Sequence, residues 1–74
     1  MALTIRLFAN FRDGRFKEAP REYTPGTVVG DIVDALGIAR KEVGVLMVNG
    51  RHATFEQAPK DGDAVAIFPL VGGG

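Results

Sequence analysis

The sequence predicts a small α+β domain in which a mixed sheet of four to five strands carries one main helix across one face. Three observations lead to this prediction: strand-like segments of alternating polarity, a single apolar stripe of helical period, and a length of 74 residues that suits one domain. The predicted order is strand, strand, helix, strand, short strand, strand. A helix and sheet of this kind pack as two layers around one core.

The first two predicted strands form a hairpin. Residues 3–7 alternate apolar and polar side chains and are rich in β-formers, which predicts a strand with one buried face. Asp13 and Gly14 are typical of a turn, and residues 16–23 follow as a more polar returning strand. Because Pro20 has no N–H to donate, we expect this second strand at an edge of the sheet.

The helix is predicted from its caps and its apolar stripe. Thr27 is placed to cap the first turn through its hydroxyl, and a helix of about ten residues follows. Gly37 is expected to adopt the left-handed conformation that ends a helix, with Ile38 making the hydrophobic contact beyond it. The apolar stripe at helical spacing consists of Val29, Ile32, Val33 and Leu36.

The second half of the chain reads as three strands. A charged connector at residues 39–44 leads into a buried strand at 45–48, and residues 51–54 return as a short strand. Asn49 and Gly50 between them suit a type I′ turn, because both central positions need positive φ. Residues 55–60 are predicted as a loop or one helical turn, and Asp61 and Gly62 reverse the chain into a last strand at 63–71. The predicted core consists of Leu3, Ile5, Leu7, Val29, Ile32, Val33, Leu36, Leu46, Val48, Val65 and Ile67.

Apolar residues also occupy the outward parity of the strands, where polar residues are expected. Phe8, Met47, Ala66 and Phe68 would form a contiguous apolar patch on the helix-free face, and such patches are typical of protein contacts. Two other interpretations are equally open at this point. The alternation could slip at the strand ends, or a loop could cover the face.

Composition excludes several classes of function. Hydrophobic residues at 46% and charged residues at 24% are typical of a globular domain, and nine basic residues balance nine acidic ones, so no overall field favours nucleic acid or membrane. The longest apolar run, residues 64–71, is too short to span a bilayer, and no signal-peptide pattern is present, so we expect a cytoplasmic protein. Without Cys, and with a lone His52 that has no nucleophile beside it, we expect no metal site, no bound cofactor and no catalytic residue.

The sequence ends in Gly72, Gly73 and Gly74 directly after the last predicted strand. Glycine has no Cβ, so a glycine backbone can enter a narrow site in another protein. We expect residues 1–71 to form the domain and residues 72–74 a flexible tail, with Gly72 and Gly73 threading into a partner and the Gly74 carboxylate as the reactive group. A carboxylate is a poor electrophile and would need ATP to become an acyl adenylate. Glycine tails are also found as frayed ends or linkers, and that interpretation stays open.

Several separated segments resemble the β-grasp, ubiquitin-like sulfur carriers of the MoaD and ThiS type. The matching segments are Leu7-Phe8-Ala9 with Arg12, Val48-Asn49-Gly50, Lys60-Asp61-Gly62-Asp63, and Val65-Ala66-Ile67-Phe68-Pro69 running into Gly73-Gly74. The segment from Phe8-Ala9 to Arg12 and the Phe68-Pro69 segment are most similar to those of the molybdopterin synthase small subunit. On this resemblance Arg12 and Pro69 join the patch as partner-binding residues.

The resemblance implies a chemistry carried out by partners. An adenylating enzyme related to ubiquitin-activating proteins would use ATP and magnesium to activate Gly74, and a sulfur donor would convert it to a thiocarboxylate. The thiocarboxylate would then donate sulfur in the large synthase subunit to form molybdopterin, the organic part of the molybdenum or tungsten cofactor.

Two departures from the family pattern leave the pathway open: Leu70 stands where the family often has a second proline, and Gly72 adds a third glycine. The alternatives are a carrier for thiamine thiazole synthesis, a ubiquitin-like modifier conjugated to lysines through Gly74, and a β-grasp binding module with no covalent role.

Overall fold

A computed structural model describes residues 1–71 of the chain. Five strands form one mixed sheet in the order β2-β1-β5-β3-β4, and a helix, α1, covers one face, so the predicted α+β fold is confirmed. The elements are β1 (Ala2–Leu7), β2 (Glu18–Glu22), α1 (Val29–Ala35), β3 (Val43–Val48), β4 (Arg51–His52) and β5 (Ala64–Pro69), with short 3-10 helices at Ala9–Arg12 and Arg40–Glu42. Across residues 1–71, no helix has the length and apolar character needed to cross a membrane.

Strand β5 lies at the centre of the sheet. It pairs parallel with β1 and antiparallel with β3, while β2 and β4 form the two edges. Pro20 lies in edge strand β2 opposite Thr4, as predicted, because a proline on an edge interrupts no inner ladder. Three strands are shorter than predicted: β2 covers Glu18–Glu22 and not all of residues 16–23, β4 has two residues, and β5 ends at Pro69 before the exposed residues Leu70 and Val71.

The turn between β3 and β4 is the predicted one, and it is also tied to β5. Asn49 and Gly50 have φ of 52° and 78°, so both central positions are left-handed. The Asn49 side-chain oxygen accepts the Ala64 N–H at 2.9 Å, and its amide nitrogen donates to the Asp63 carboxylate at 2.9 Å. The Lys60 N–H donates to the same carboxylate, and this bond, followed by that from Asn49, holds the pKa of Asp63 below its usual value. The two family-like segments around Asn49 and Asp63 are therefore one hydrogen-bonded unit.

Helix α1 begins later than predicted. Thr27 does not cap it, because the Thr27 hydroxyl donates to the carbonyl oxygen of Thr24 at 2.7 Å. Val28 occupies the N-cap position, and the Asp31 carboxylate accepts the Val28 N–H at 3.4 Å. The helix also ends at Ala35, with Leu36 in the C-cap position, so it has seven residues and not the roughly ten predicted.

The end of α1 is the predicted glycine cap. Gly37 has φ of 75°, its N–H donates to Asp34 O, and the Ile38 N–H donates to Val33 O. These two hydrogen bonds define a Schellman motif. Ile38 is buried beyond the cap, so the predicted hydrophobic contact is confirmed.

One cluster of twelve buried apolar residues fills the space between α1 and the sheet. It contains every predicted core residue except Leu36, which is only partly buried because α1 ends at Ala35. Phe11 and Ile38 are also part of the core. Neither lies in a segment whose apolar residues repeat with the period of a strand or of an α-helix. The cluster is Leu3, Ile5, Leu7, Phe11, Val29, Ile32, Val33, Ile38, Leu46, Val48, Val65 and Ile67.

Candidate functional site

The helix-free face of the sheet brings the predicted apolar residues together. Ala66 lies between Arg6 of β1 and Met47 of β3 in the strand register. Two residues further along β5, the Phe68 ring stacks on Phe8, with 4.0 Å between centroids and 12° between the planes. The outward parity therefore persists to the end of β5, and Phe8, Met47, Ala66 and Phe68 lie on one surface, here called the apolar patch.

Arg12 forms one rim of the apolar patch. Its Nε donates to the carbonyl oxygen of Leu7 at 2.7 Å, and its guanidinium carbon lies 5.3 Å from the centroid of the Phe8 ring. That distance allows a cation–π interaction. The short 3-10 helix that ends at Arg12 supplies this side chain, and Arg6 lies beside it, with its Nε 2.7 Å from Glu18. Because Glu18 neutralises Arg6, the positive charge of this rim comes chiefly from Arg12.

A groove of about 220 Å³ adjoins the patch on the β3 side. Val45, Met47, Phe68, Pro69 and Val71 line it. Val45 and Val71 are new members of the site. Val45 has the same strand parity as Met47, so the alternation that predicts Met47 on this face is also the signal that identifies Val45. Val71 lies beyond β5, where no period identifies a face.

The segment from Pro69 to Val71, here called the tail base, leaves the sheet at this groove. The Leu70 N–H donates to the carbonyl oxygen of Glu42 at 2.9 Å, which fixes the backbone just past the end of β5. The side chains are free of the core: Leu70 is 64% and Val71 88% exposed. Gly72, Gly73 and Gly74 lie outside the described residues.

A second groove, of about 360 Å³, lies on the other side of the tail base. Asn10, Lys41 and Glu42 line it together with Pro69 and Leu70. Its lining is mixed, with polar groups beside apolar ones, whereas the groove beside Met47 is almost wholly apolar.

The remaining candidates for chemistry do not assemble into a site. His52 lies exposed on edge strand β4, opposite Met47. Within residues 1–71, no three His, Cys, Asp or Glu side chains are grouped so that they could hold a metal ion. What this part of the chain offers is an exposed apolar patch beside a backbone segment that a hydrogen bond holds just past the end of β5.

A five-stranded mixed sheet with one helix on one face and an apolar patch on the other defines a β-grasp, ubiquitin-like protein. The chain belongs to the Mut7-C ubiquitin family, whose model matches residues 3–72. The match spans nearly the whole sequence. The predicted resemblance to ubiquitin-like sulfur carriers is confirmed at the level of family and fold.

Solved structures agree with this placement. SAMP1 from Haloferax volcanii is similar over the full length of both chains, at 27% identity and a TM-score of 0.76. A putative molybdopterin converting factor, subunit 1, from Pyrococcus furiosus is 27% identical over 96% of this chain and 99% of its own, also at a TM-score of 0.76. The HVO 2177 protein of Haloferax volcanii is 32% identical over all of this chain and 87% of its own, with a TM-score of 0.80.

Proposed function

We propose that this protein is a carrier that receives sulfur on the carboxylate of Gly74 and donates it in molybdopterin synthesis. The observation that carries the proposal is the continuity of the apolar patch with the tail base. Pro69 and Val71 line the same groove as Met47 and Phe68, so a partner that docks on the patch is placed to receive the tail. The similarity to a protein named subunit 1 of a putative molybdopterin converting factor supports the choice of pathway.

The chemistry would be supplied by partner enzymes. An adenylating enzyme would use ATP and magnesium: a Gly74 carboxylate oxygen attacks the α-phosphorus, pyrophosphate leaves, and an acyl adenylate forms. A donor that supplies sulfur as hydrosulfide then attacks the carbonyl carbon, the C–O bond to AMP breaks, AMP leaves, and a thiocarboxylate results. In the large synthase subunit, the thiocarboxylate sulfur would attack a carbon of the pterin precursor and displace an oxygen leaving group. Water would then cleave the bond between the sulfur and the Gly74 carbonyl carbon, which leaves the sulfur on the precursor and restores the carboxylate. This chain contributes docking and delivery, and no catalytic group of its own.

The patch specifies the kind of surface that these partners present. The stacked rings of Phe8 and Phe68 offer a rigid aromatic platform of the kind that anchors protein interfaces. Arg12, held by Leu7 O and the Phe8 ring, gives the platform a cationic rim. A complementary partner therefore has an apolar centre bordered by carboxylates on one side.

A second candidate function is supported by the similarity to SAMP1, which a related structure describes as a small archaeal modifier protein. In that case, the activated Gly74 carbonyl would form an isopeptide bond with a lysine amine of a target. The patch and tail base would serve the same activation step, so the two functions diverge only at the nucleophile.

Intact mass spectrometry of the protein from its native host tests the proposal. A terminus in which sulfur has replaced oxygen supports the carrier, and the same experiment on a variant without Gly74 is the control, which should show no replacement. Conjugates linked to lysines of other proteins would instead support the modifier. If actively growing cells yield neither, the chain is better described as a β-grasp binding module.

A further inference from the structure

We propose that Gly44 is a positioning residue that sets the direction in which the tail leaves the sheet. The inference rests on the proposed function and adds a residue to it, because a tail that must enter a partner's site has to leave the domain in a fixed direction. Gly44 lies in β3 and is not among the residues that the family resemblance singles out. Its role follows from how closely the backbone of the tail base packs against it.

The pairing of β3 with β5 is irregular at Gly44. Val43 is opposite Pro69, whereas Val45 is opposite Phe68, so two steps along β3 correspond to one step along β5. Gly44 is the extra residue of a β-bulge, a feature that bends a strand and redirects its end. The bend occurs where β5 becomes the tail base.

The space at Gly44 is filled by the main chain of the tail base. A Cβ added there would lie 2.8 Å from Pro69 O, 3.0 Å from Leu70 Cα and 3.1 Å from Leu70 N. Each distance is shorter than ordinary van der Waals contact, and each atom belongs to backbone that cannot rotate away. The missing Cβ therefore allows the close approach that also forms the hydrogen bond from Leu70 to Glu42.

Other glycines of the described residues have different explanations. Gly14, Gly26, Gly50 and Gly62 have positive φ and open space where a Cβ would stand, so their conformation requires glycine. Gly44 is not among the residues with positive φ, and only the approach of the tail base explains it.

Gly30 provides a matched comparison. A Cβ at Gly30 would also clash, at 2.6 to 2.9 Å, but with the guanidinium of Arg40. That group is the end of a flexible side chain and can move aside. The substitutions Gly44→Ala and Gly30→Ala therefore add the same atom to the same small domain, and only the first displaces the tail base.

The consequence of Gly44→Ala is a redirected tail on an otherwise intact docking surface. The apolar patch remains, so the KM for activation by the adenylating enzyme should change little. Delivery of the terminus becomes less accurate, and a misplacement of about 1 Å can lower a rate about 100-fold. We expect kcat for adenylation to fall by about that factor, whereas Gly30→Ala keeps the wild-type kcat.

The test combines this kinetic comparison with amide hydrogen exchange at Leu70, both at protein concentrations and temperatures where circular dichroism shows each variant fully folded. Gly44→Ala should speed exchange of the Leu70 N–H, because its acceptor on Glu42 is lost, and Gly30→Ala should not. A second variant, made by chemical synthesis, replaces the amide between Pro69 and Leu70 with an ester. It removes the N–H donor without adding an atom, and should likewise lower kcat with little change in KM.

The outcomes separate this inference from the proposed function. Unchanged kcat in both Gly44→Ala and the ester variant overturns the inference, and so does a loss of kcat that Gly30→Ala shows equally. If the wild-type protein is not adenylated at all, the proposed function fails. Leu70 exchange still decides in that case whether Gly44 fixes the tail base: faster exchange in Gly44→Ala supports this, and unchanged exchange refutes it.

Discussion

Substitution of Phe68 by Asp should separate partner binding from folding, because Phe68 lies on the outer face of β5 while its neighbour Ile67 lies in the core. The Phe68 ring is partly exposed and stacks on Phe8 with 4.0 Å between centroids. Ile67 is completely buried. Substitutions at these two adjacent positions of β5 therefore test the outer face of the sheet and the buried core separately.

The expected magnitudes follow from these contacts. Loss of the aromatic pair costs about 0.5–1.5 kcal/mol of folding free energy, and the poorer β-propensity of Asp costs at most ~1 kcal/mol more. At an interface, an aromatic anchor contributes about 2 kcal/mol or more, which is roughly a 30-fold rise in Kd. We therefore expect Phe68→Asp to weaken binding to the adenylating enzyme at least 30-fold while the domain stays folded.

Calorimetric titration measures the Kd, and urea unfolding measures the stability. Ile67→Val is the matched control, because removing one buried methyl group costs about 0.5–1.5 kcal/mol of stability and leaves the outer face untouched. It should bind the enzyme with wild-type affinity. If Phe68→Asp binds as well as Ile67→Val does, or unfolds the domain, then Phe68 is a structural residue and the docking argument is wrong.

Three further predictions concern the tail, the central hairpin and pH. Deleting Gly74, or substituting Gly73→Leu, should abolish adenylation in an ATP–pyrophosphate exchange assay. The free energy of unfolding in urea should not change, because the buried core cluster ends at Ile67, before these glycines. Activation of either variant would contradict the delivery role. Asn49→Ala should destabilise the domain by about 1–3 kcal/mol in urea, because it removes two hydrogen bonds worth about 0.5–1.5 kcal/mol each, one with the Ala64 N–H and one with the Asp63 carboxylate. Arg51→Ala on the edge strand should stay within ~0.5 kcal/mol of wild type. The pKa of Asp63 is lower in the folded protein than in the unfolded chain, so the ionised Asp63 side chain contributes to the free energy of unfolding. That contribution is complete above the pKa of the unfolded chain and is lost as the pH falls through the pKa of the folded protein. Urea unfolding across acidic pH should show this loss in the wild type, and a smaller one in Asp63→Asn.

Local sequence signals predicted most of the individual elements correctly. The Asn49-Gly50 turn, the Gly37 cap and the core parity of the strands follow from preferences that act over a few residues. The predicted cap was wrong because another hydrogen bond competes for the Thr27 hydroxyl, which donates to Thr24 O and does not cap α1. Phe11 was not predicted in the core because it lies in a short 3-10 helix, which shows neither the two-residue period of a strand nor the 3.6-residue period of an α-helix.

The candidate site was predicted in part. Alternation along β1, β3 and β5 placed Phe8, Met47, Ala66 and Phe68 on one face, and the structure brings them together. Alternation along β3 also assigns Val45 to that face, whereas Val71 lies beyond β5 and could be assigned to it only once the path of the chain around the end of β5 was known.

Residue type and short spacing suffice to specify which side of each strand is apolar, where the chain turns, and that glycines follow the last strand. Tertiary structure alone decided that β5 is central, that it runs parallel to β1, and that the tail base emerges beside the apolar patch. It also decided the meaning of Gly44, whose missing Cβ matters only because Pro69 and Leu70 pack against it from the other end of the chain. Contacts between residues so distant in sequence leave no periodic signal, since they depend on how whole strands pair.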